Sequence, residues 1–223
     1  YYKGAAWYQK EITIPESWNG QEVELFLERC HWESRVWVNE MEAGMQNSLG
    51  TPHVYNLSGL LKPGKNLLTV CIDNRVKDFD PGINSHSISD HTQTNWNGIV
   101  GEMYIEAKPT VNIAHISVSP DINKNEVVAG IRINNNGEPG KVKLEINISG
   151  PSVPEKQVVD FDLKTRENEV DVFVPMGENV KLWNEFHPEI YTMTVVLNGE
   201  NLAPDTLSTT FGMREITTAN RRI

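Results

Sequence analysis

The feature that most constrains the fold of this chain is a period-two alternation of apolar residues with mostly polar or small ones. It is clearest in residues 127–133 and 142–148, which flank a turn-forming run at 135–140. Such alternation places the apolar side chains on one face of a β-strand and leaves the other face in water. No stretch of the chain holds a helical period over three turns. The sequence therefore predicts an all-β fold class.

Further strand-like segments cover both halves of the chain. The first half has them at 8–14, 22–28, 36–38, 67–72 and 103–107, and the second at 111–119, 158–163, 170–174, 190–197 and 206–211. Residues 41–56 combine Gly and Pro with polar side chains and are interpreted as a connection. A boundary is expected at Lys108-Pro109. It separates two β-sandwich domains, residues 1–108 and 109–212, and a polar linker segment follows at 213–223.

The charge balance limits the kinds of partner. The 223 residues include 30 acidic and 20 basic ones, for a net charge of −10. Nucleic acids and anionic membrane surfaces are bound through Lys and Arg, so this excess of acid argues against both. No apolar run approaches the roughly 18 residues of a membrane span. The chain begins at Tyr1 without an apolar signal core, so a periplasmic or secreted location is expected only if an export signal lies upstream.

The two cysteines, Cys30 and Cys71, lie in apolar, strand-like stretches. Buried free thiols are the favoured interpretation, because cysteine behaves as a small hydrophobic residue in such positions. A single disulfide stays open as the alternative. It would require the two Cα atoms to lie within about 7 Å of each other.

The loop at 76–97 is the strongest candidate for a binding site, because loops of that length are uncommon in a compact domain unless they are functional or disordered. Its last part is dense in polar side chains, and the candidate substrate-binding residues are Asp90, His91, Asn95, Trp96 and Asn97. Amides supply hydrogen-bond donors and acceptors and an indole supplies a flat face, which suits a sugar. The alternative is that these residues only satisfy the backbone of a surface loop.

Two other kinds of site can be drawn in the same loop, and neither is favoured. His86, Asp90 and His91 have metal-ligating side chains, but no second cluster of ligands accompanies them. Ser85, His86 and Asp90 can be written as a nucleophilic triad, but no G-x-S-x-G elbow is present. Most of the abundant carboxylates fall on the wet positions of amphipathic strands. We therefore expect no metal and no cofactor.

Six phrases of the sequence occur in the order typical of one family. They are 4–8 (GAAWY) with 14–15 (IP), 34–39 (SRVWVN) with Gly44, 54–74 (VYNLSGLLKPGKNLLTVCIDN), 97–101 (NGIVG), 182–191 (LWNEFHPEIY), and Asp205 with 211–216 (FGMREI). Together they resemble the amino-terminal part of family 2 glycoside hydrolases, the group that includes β-galactosidases, β-glucuronidases and β-mannosidases. The resemblance covers nearly the whole chain.

The resemblance implies a jelly-roll sugar-binding domain over residues 1–108, an immunoglobulin-like β-sandwich over residues 109–212, and then a (β/α)8 barrel that does the chemistry. In this family the acid/base Glu, within an Asn-Glu pair, and the nucleophile Glu both lie on that barrel, and this chain stops where the barrel would begin. The Asn-Glu pairs of this chain fall on turns and strand ends, at 39–40, 125–126, 168–169 and 184–185. No catalytic role is transferred to them.

Two departures from the family pattern bear on structure. Glu40 stands where the family hairpin has Gly after Asn39, which predicts a turn of a different type, because two successive positive φ values favour Gly. Gly101 stands where the family has Arg at its strand entry. The preceding loop is richer in Asn and Thr than in Asp, and Asp90 is the nearest candidate for the Asp with which the family contacts the sugar.

Three functions stay open. In the first, which is favoured, the chain is a non-catalytic part of a retaining exo-β-glycosidase, and loop 76–97 helps to shape the pocket for the terminal sugar. In the second, it is a freestanding carbohydrate-binding module that uses Trp32, Trp96 or the 46–53 loop. In the third, it is a structural spacer. The expected partners are a carbohydrate substrate and the barrel of the same chain, and dimers or tetramers are common in the family.

Overall fold

The structure is a computed structural model, in which the chain consists almost entirely of β-strands. It describes residues 2–77, 80, 82–83, 85, 88 and 96–216. Across that part of the chain there are fourteen strands, one short 3-10 turn at Glu16–Trp18 and no α-helix. The prediction of an all-β fold is confirmed. Two compact units follow one another along the chain, Tyr1–Ala107 and Lys108–Ile223.

The first unit is a β-sandwich of two sheets. Its strands are β1 (Ala5–Ile14), β2 (Glu22–His31), β3 (Glu33–Val38), β4 (Met41–Asn47), β5 (His53–Asn56), β6 (Gly64–Asp73) and β7 (Gly98–Lys108). One sheet has the strand order β1-β6-β3-β4 and the other has the order β5-β2-β7. Inward residues of both sheets, among them Leu25, Val36 and Ile72, meet in one buried core. This is the jelly-roll sandwich that the family resemblance implies.

The second unit is a β-sandwich with the strand arrangement of an immunoglobulin-like domain. Its strands are β8 (Val111–Asp121), β9 (Glu126–Asn135), β10 (Gly140–Ser149), β11 (Gln157–Leu163), β12 (Arg166–Pro175), β13 (Tyr191–Gly199) and β14 (Asp205–Phe211). Sheet β12-β9-β8 packs on sheet β11-β10-β13-β14. The inward residues of both sheets, among them Ile131, Leu144 and Val195, pack in one buried core. The number of strands agrees with the sequence prediction, because most inward positions are aliphatic and follow the period of a half-buried strand.

Tyr191 ties the start of β13 to the preceding connection. Its side chain is fully buried and stacks on Phe211, with ring centroids 5.4 Å apart. Its hydroxyl accepts a hydrogen bond of 2.7 Å from the backbone N–H of Lys181 and lies 3.2 Å from Ser152 Oγ. A tyrosine that bonds the backbone upstream of this strand is typical of immunoglobulin-like sandwiches.

The prediction that residues 41–56 form a connection is wrong, because this segment contains β4 and β5. Strand β4 pairs with β3, and β5 pairs with β2. The buried side chains of β5 are His53 and Tyr55, and both hydrogen-bond the hydroxyl of Ser34, at 2.5 and 2.6 Å. A strand whose inward residues are His and Tyr shows no aliphatic alternation, so the sequence pattern does not reveal it.

The hairpin between β3 and β4 turns on Asn39 and Glu40. Only Asn39 of the two has a positive φ, of 55°. The turn therefore differs from the type with two positive φ values, as the sequence predicted. The Asn39 side chain holds the turn, because its Oδ1 accepts the N–H of Leu67 at 2.9 Å and its Nδ2 donates to Asn66 Oδ1 at 3.2 Å.

Cys30 and Cys71 are buried free thiols, which confirms the favoured prediction and rules out a disulfide between them. Cys30 lies in the core between the two sheets, whereas Cys71 lies opposite Arg35 on the outer face of the first sheet. Burial raises the pKa of Cys30 to about 11. The Cys30 thiol therefore stays protonated near neutral pH and is a poor nucleophile.

Candidate functional site

The two ends of the long loop meet at a pair of asparagines. Asn74 follows β6 directly, and Asn97 precedes β7. Asn74 Nδ2 donates to Asn97 Oδ1 at 2.7 Å and to the carbonyl of Tyr2 at 2.9 Å, and Asn74 Oδ1 accepts the N–H of Gly4 at 2.8 Å. One amide side chain thus joins both ends of the loop and the amino-terminal segment.

His31, at the end of β2, supports Asn97 and Trp96 from the interior. It is 5% exposed, and its Nδ1 lies 3.3 Å from Asn97 Oδ1. An amide oxygen only accepts hydrogen bonds, so Nδ1 carries the proton in this contact. The His31 ring packs against Trp96 at 5.0 Å and Trp32 at 4.9 Å between centroids. Trp96 is therefore anchored to the end of the sandwich through His31.

A small concave pocket opens beside the asparagine pair. Its volume is about 240 Å³, and Tyr2, Tyr8, Asn74, Asn97 and Gly98 are among the residues that line it. This volume is below the roughly 300–1,000 Å³ of pockets for drug-sized ligands. The pocket therefore suits a ligand the size of a single sugar ring, with the Asn97 amide and the Tyr8 phenol among the groups that face it.

A charged cluster supports the point at which the loop leaves β6. Asp73 is 4% exposed, and its Oδ2 lies 2.6 Å from Arg75 Nη2 and 2.9 Å from Lys77 Nζ. Lys77 Nζ also lies 3.1 Å from Glu33 Oε2, and Arg35 Nε lies 2.9 Å from Glu33 Oε1. These ion pairs hold the first residues of the loop against the outer face of the sheet.

The cluster keeps both carboxylates ionised. The hydrogen bond from Arg75 is the main cause that holds the pKa of Asp73 far below its usual range; burial opposes it and Lys77 adds to it. Burial raises the pKa of Glu33, but the hydrogen bonds from Arg35 and Lys77 outweigh it and leave that pKa below its ordinary value. Neither group is suited to donate a proton near neutral pH.

Comparison with known proteins assigns both units to one family. The model for glycosyl hydrolases family 2, sugar binding domain, matches residues 1–109, and the model for glycosyl hydrolases family 2 matches residues 111–214. The chain belongs to glycosyl hydrolase family 2. The two matches meet within a few residues of the division between the two compact units.

The curated relatives of this family 2 chain carry the names of β-glycosidases. A putative β-glucuronidase of Formosa agariphila is 25% identical over 217 residues, which cover 96% of this chain and 25% of the relative. A β-galactosidase of Thermoanaerobacter pseudethanolicus is 26% identical over 227 residues, which cover 96% of this chain and 29% of the relative. The chain thus spans about a quarter of the length of the curated relatives it matches.

Solved structures share the fold of this family 2 chain. A β-glucuronidase of Bacteroides uniformis superposes with a TM-score of 0.80 at 21% identity, covering 95% of this chain and 26% of that one. A family 2 member from Bacteroides cellulosilyticus has a TM-score of 0.83 at 18% identity, covering 96% and 27%. At these identities the likeness shows the fold alone.

Two of the five sequence-predicted site residues lie in the described part of the chain. Trp96 and Asn97 are brought together at the end of the first sandwich. Asp90, His91 and Asn95 lie outside the described residues, and their role in binding stays a prediction. The metal and triad interpretations also depend on residues outside that part, since both use His86 and Asp90.

Sequence reasoning missed His31 and Asn74. His31 is the last residue of β2 and Asn74 directly follows β6. A polar residue at the end of an apolar strand was the available signal. Among residues 2–77 and 96–216, no group of three or more His, Cys, Asp or Glu side chains is placed to hold a metal ion. In the same part of the chain, no helix has the length and apolar character to cross a membrane.

Proposed function

We propose that this chain is the non-catalytic amino-terminal region of a retaining exo-β-glycosidase of family 2. The observation that carries the proposal is the asymmetry of coverage. The putative β-glucuronidase of Formosa agariphila matches 96% of this chain, yet that match occupies 25% of the relative. Most of such a relative lies beyond the matched region, where the family resemblance implies a catalytic (β/α)8 barrel.

The chemistry of the described carboxylates supports a non-catalytic role. A retaining glycosidase requires two carboxyl groups about 5–5.5 Å apart, one of which must donate a proton to the leaving group. The most buried pair near the loop, Asp73 and Glu33, is neutralised by Arg35, Arg75 and Lys77. Both acids have pKa values below their ordinary range, so this pair is suited to support and not to proton transfer.

The loop at 76–97 is proposed to contribute to the sugar pocket of the parent enzyme. Asn74 and Asn97 fix its two ends, and His31 fixes the orientation of Trp96. A binding loop with fixed ends loses less conformational entropy when a ligand binds, which favours affinity. In this proposal Asp90 and the polar side chains that follow it in the loop hydrogen-bond the hydroxyls of the terminal sugar.

The test compares the 223-residue chain with the full-length gene product on 4-nitrophenyl β-D-galactoside and 4-nitrophenyl β-D-glucuronide. We expect hydrolysis by the full-length protein and none by the chain alone. In the full-length protein, Asp90→Ala should lower kcat/KM at least tenfold. Asp80→Ala, which changes an exposed carboxylate of the same loop, should leave it unchanged.

Hydrolysis by the chain alone, with a rate proportional to its concentration, would contradict the non-catalytic role. Equal kinetics of Asp90→Ala and Asp80→Ala would contradict the role of the loop. The freestanding-module function makes a different prediction, because it requires the chain alone to bind monosaccharides at the asparagine pocket. Titration of the chain with galactose and glucuronic acid, with Asn97→Ala as the comparison variant, tests that function directly.

A further inference from the structure

The outer face of the first sheet carries a stacked pair of tryptophans that the proposed function does not use. Trp7 on β1 and Trp37 on β3 have ring centroids 5.2 Å apart and an angle of 30° between ring planes. Strand β6 runs between them, with Cys71 opposite Trp7 and Thr69 opposite Trp37. The two rings therefore meet over β6, whose outward Cys71 and Thr69 are each 6% exposed.

The tryptophan pair remains open to solvent on its other side. Trp7 is 62% exposed, the largest exposed fraction of any Trp in the described part of the chain. Such exposure of a large apolar side chain is unfavourable in water, because its apolar surface is left unburied. Covering Cys71 and Thr69 explains why the indoles lie on the sheet, but it does not explain why the outer face of Trp7 stays bare.

Polar side chains border the tryptophan pair on the same face. Gln9 is the next residue after Trp7 on this face of β1, and its Nε2 donates a hydrogen bond to Thr69 Oγ1 at 3.0 Å. Arg35 lies opposite Cys71, and Glu42 lies opposite Trp37 across the next strand pair. An amide, a guanidinium and a carboxylate thus stand around a flat aromatic surface, and each can exchange hydrogen bonds with hydroxyl groups.

We propose that Trp7 and Trp37 form a carbohydrate-stacking surface, which takes a β-linked oligosaccharide along the outer face of the sheet. A pyranose ring with equatorial hydroxyls presents axial C–H groups on its two faces and hydroxyls around its rim. The C–H face packs on an indole, and the rim hydroxyls reach Gln9, Arg35 and Glu42. This division between a flat apolar centre and a polar border matches the chemistry of a sugar ring.

Other flat or apolar partners fit this surface less well. Nucleic-acid bases also stack on aromatic rings, but their binding requires a basic groove for the phosphates, and this chain has a net charge of −10. A stable protein partner needs about 800 Å² of surface on each side. One tryptophan supplies about 150–250 Å² when fully covered, so the exposed parts of this pair suit a ligand of two or three rings.

The surface lies close to the point where the long loop begins. Cys71, beneath the tryptophan pair, is two residues before Asp73, so the two positions are separated by ~7 Å along β6. The ion pairs of Asp73 with Arg75 and Lys77 stand at the loop end of the same face. A bound oligosaccharide on the tryptophan pair would therefore run along the sheet toward the loop. The inference does not depend on the proposed catalytic partner, because it concerns binding by this chain alone.

The experiment is calorimetric titration of the 223-residue chain with cellohexaose, xylohexaose and β-1,4-galactohexaose. We expect at least one of these oligosaccharides to bind, and we expect Trp7→Ala and Trp37→Ala each to weaken that binding at least tenfold. The matched control is Phe186→Ala, which removes an aromatic side chain that is 81% exposed in the other unit. Binding by Phe186→Ala should equal that of the unaltered chain.

Two further measurements keep the test decisive if an alanine variant unfolds. Trp7→Phe keeps a ring over Cys71 and should bind with intermediate affinity. In the unaltered chain, the indole N–H resonances of Trp7 and Trp37 should shift on addition of the oligosaccharide that binds. The resonance of Trp183, which lies in the other unit, should not shift.

Three results would overturn the proposal. The first is the absence of binding to all three oligosaccharides by the folded chain, and the second is binding that both tryptophan substitutions leave unchanged. The third is self-association of the chain that Trp7→Ala abolishes, because the surface would then be an interface between copies. None of these results affects the proposed glycosidase function, which is measured by hydrolysis with the full-length protein.

Discussion

Asn74 Nδ2 lies 2.7 Å from Asn97 Oδ1, so a single hydrogen bond joins the residue after β6 to the residue before β7. The intervening loop is closed at its base by this contact. The same Asn74 side chain bonds the backbone of Tyr2 and Gly4. The amino-terminal segment, the loop and the last strand of the first sandwich are thereby fixed to one another.

Replacing Asn74 should loosen all three segments together. Asn74→Ala removes three hydrogen bonds, and we expect the free energy of unfolding of the first unit to fall by about 2 kcal/mol. Asn74→Asp should cost at least as much at neutral pH, because its carboxylate cannot donate to the two oxygens that Asn74 Nδ2 bonds. Urea unfolding gives the values, with the exposed Asn19→Ala as control. If Asn74→Asp is as stable as the unaltered chain, the amide is not the donor described.

The buried His53 should make the first unit less stable in mild acid. Burial lowers the pKa of His53 in the folded chain, while in the unfolded chain the pKa is near the ordinary value of about 6.5. Below that pH the unfolded chain binds the proton first, so the free energy of unfolding should fall as the pH drops from 7 toward 5. His53→Gln should flatten this dependence. A variant with the same slope as the unaltered chain would show that other groups control it.

The sequence predicted the second sandwich better than the first for a physical reason. Segments such as 127–133 and 142–148 bury aliphatic residues at every second position, and a local pattern of that kind is sufficient to identify a strand. Strand β5 instead buries His53 and Tyr55, which are satisfied by Ser34, 19 and 21 residues away. Hydrogen bonds between segments so distant leave no local trace.

The candidate site was predicted only in part for a similar reason. Trp96 and Asn97 were predicted because they fall in an unusually polar loop beside a strand. Their partners were not, since His31 is 66 residues from Asn97 in sequence and Asn74 is 23 residues away. These contacts exist only because the ends of β2 and β6 and the start of β7 lie at the same end of the sandwich, and an arrangement of this kind is a property of the whole fold.

Lys77 should stabilise the chain at neutral pH and make it sensitive to strong acid. It pairs with Asp73 and Glu33, whose folded pKa values lie below the ordinary values of about 3.9 and 4.3. Their contribution is present above those values and is lost as the pH falls below about 4. Lys77→Met should lower the free energy of unfolding by about 1 kcal/mol at pH 7. On acidification this variant should lose less stability than the unaltered chain.

The matched control for Lys77→Met is Lys65→Met, because Lys65 pairs with Glu11 at 2.7 Å while both side chains are mostly exposed. Exposed ion pairs contribute little to stability, so the free energy of unfolding of this variant should remain within about 0.5 kcal/mol of that of the unaltered chain. Equal effects of the two substitutions would contradict the role assigned to the burial of Asp73. Urea unfolding at pH 7 and at pH 3 supplies the four comparisons.

Tyr191→Phe should destabilise the second sandwich without changing its packing. The substitution keeps the ring against Phe211 but removes the hydroxyl that accepts the N–H of Lys181 and contacts Ser152. Loss of this part-buried hydrogen bond should lower the free energy of unfolding by about 1 kcal/mol, which calorimetric melting can detect. Tyr8→Phe, at an exposed position, should have no effect. Equal melting of the two variants would show that water replaces the lost acceptor.

A side chain at Gly101 should be unfavourable, although the family resemblance places Arg there. Its φ is +89°, and a Cβ atom would lie 2.1 Å from Glu28 Oε2, which accepts the N–H of Glu102 at 2.7 Å. Gly101→Ala should therefore cost about 2 kcal/mol or more in unfolding free energy, whereas Gly20→Ala, with φ +77° but open space around it, should show the backbone cost alone. In the Glu28→Ala background, Gly101→Ala should cost no more than Gly20→Ala does in the unaltered chain, because the crowding comes from that carboxylate. If Gly101→Ala costs no more than Gly20→Ala, Glu28 moves aside freely, and the absence of Arg at this position has no steric origin.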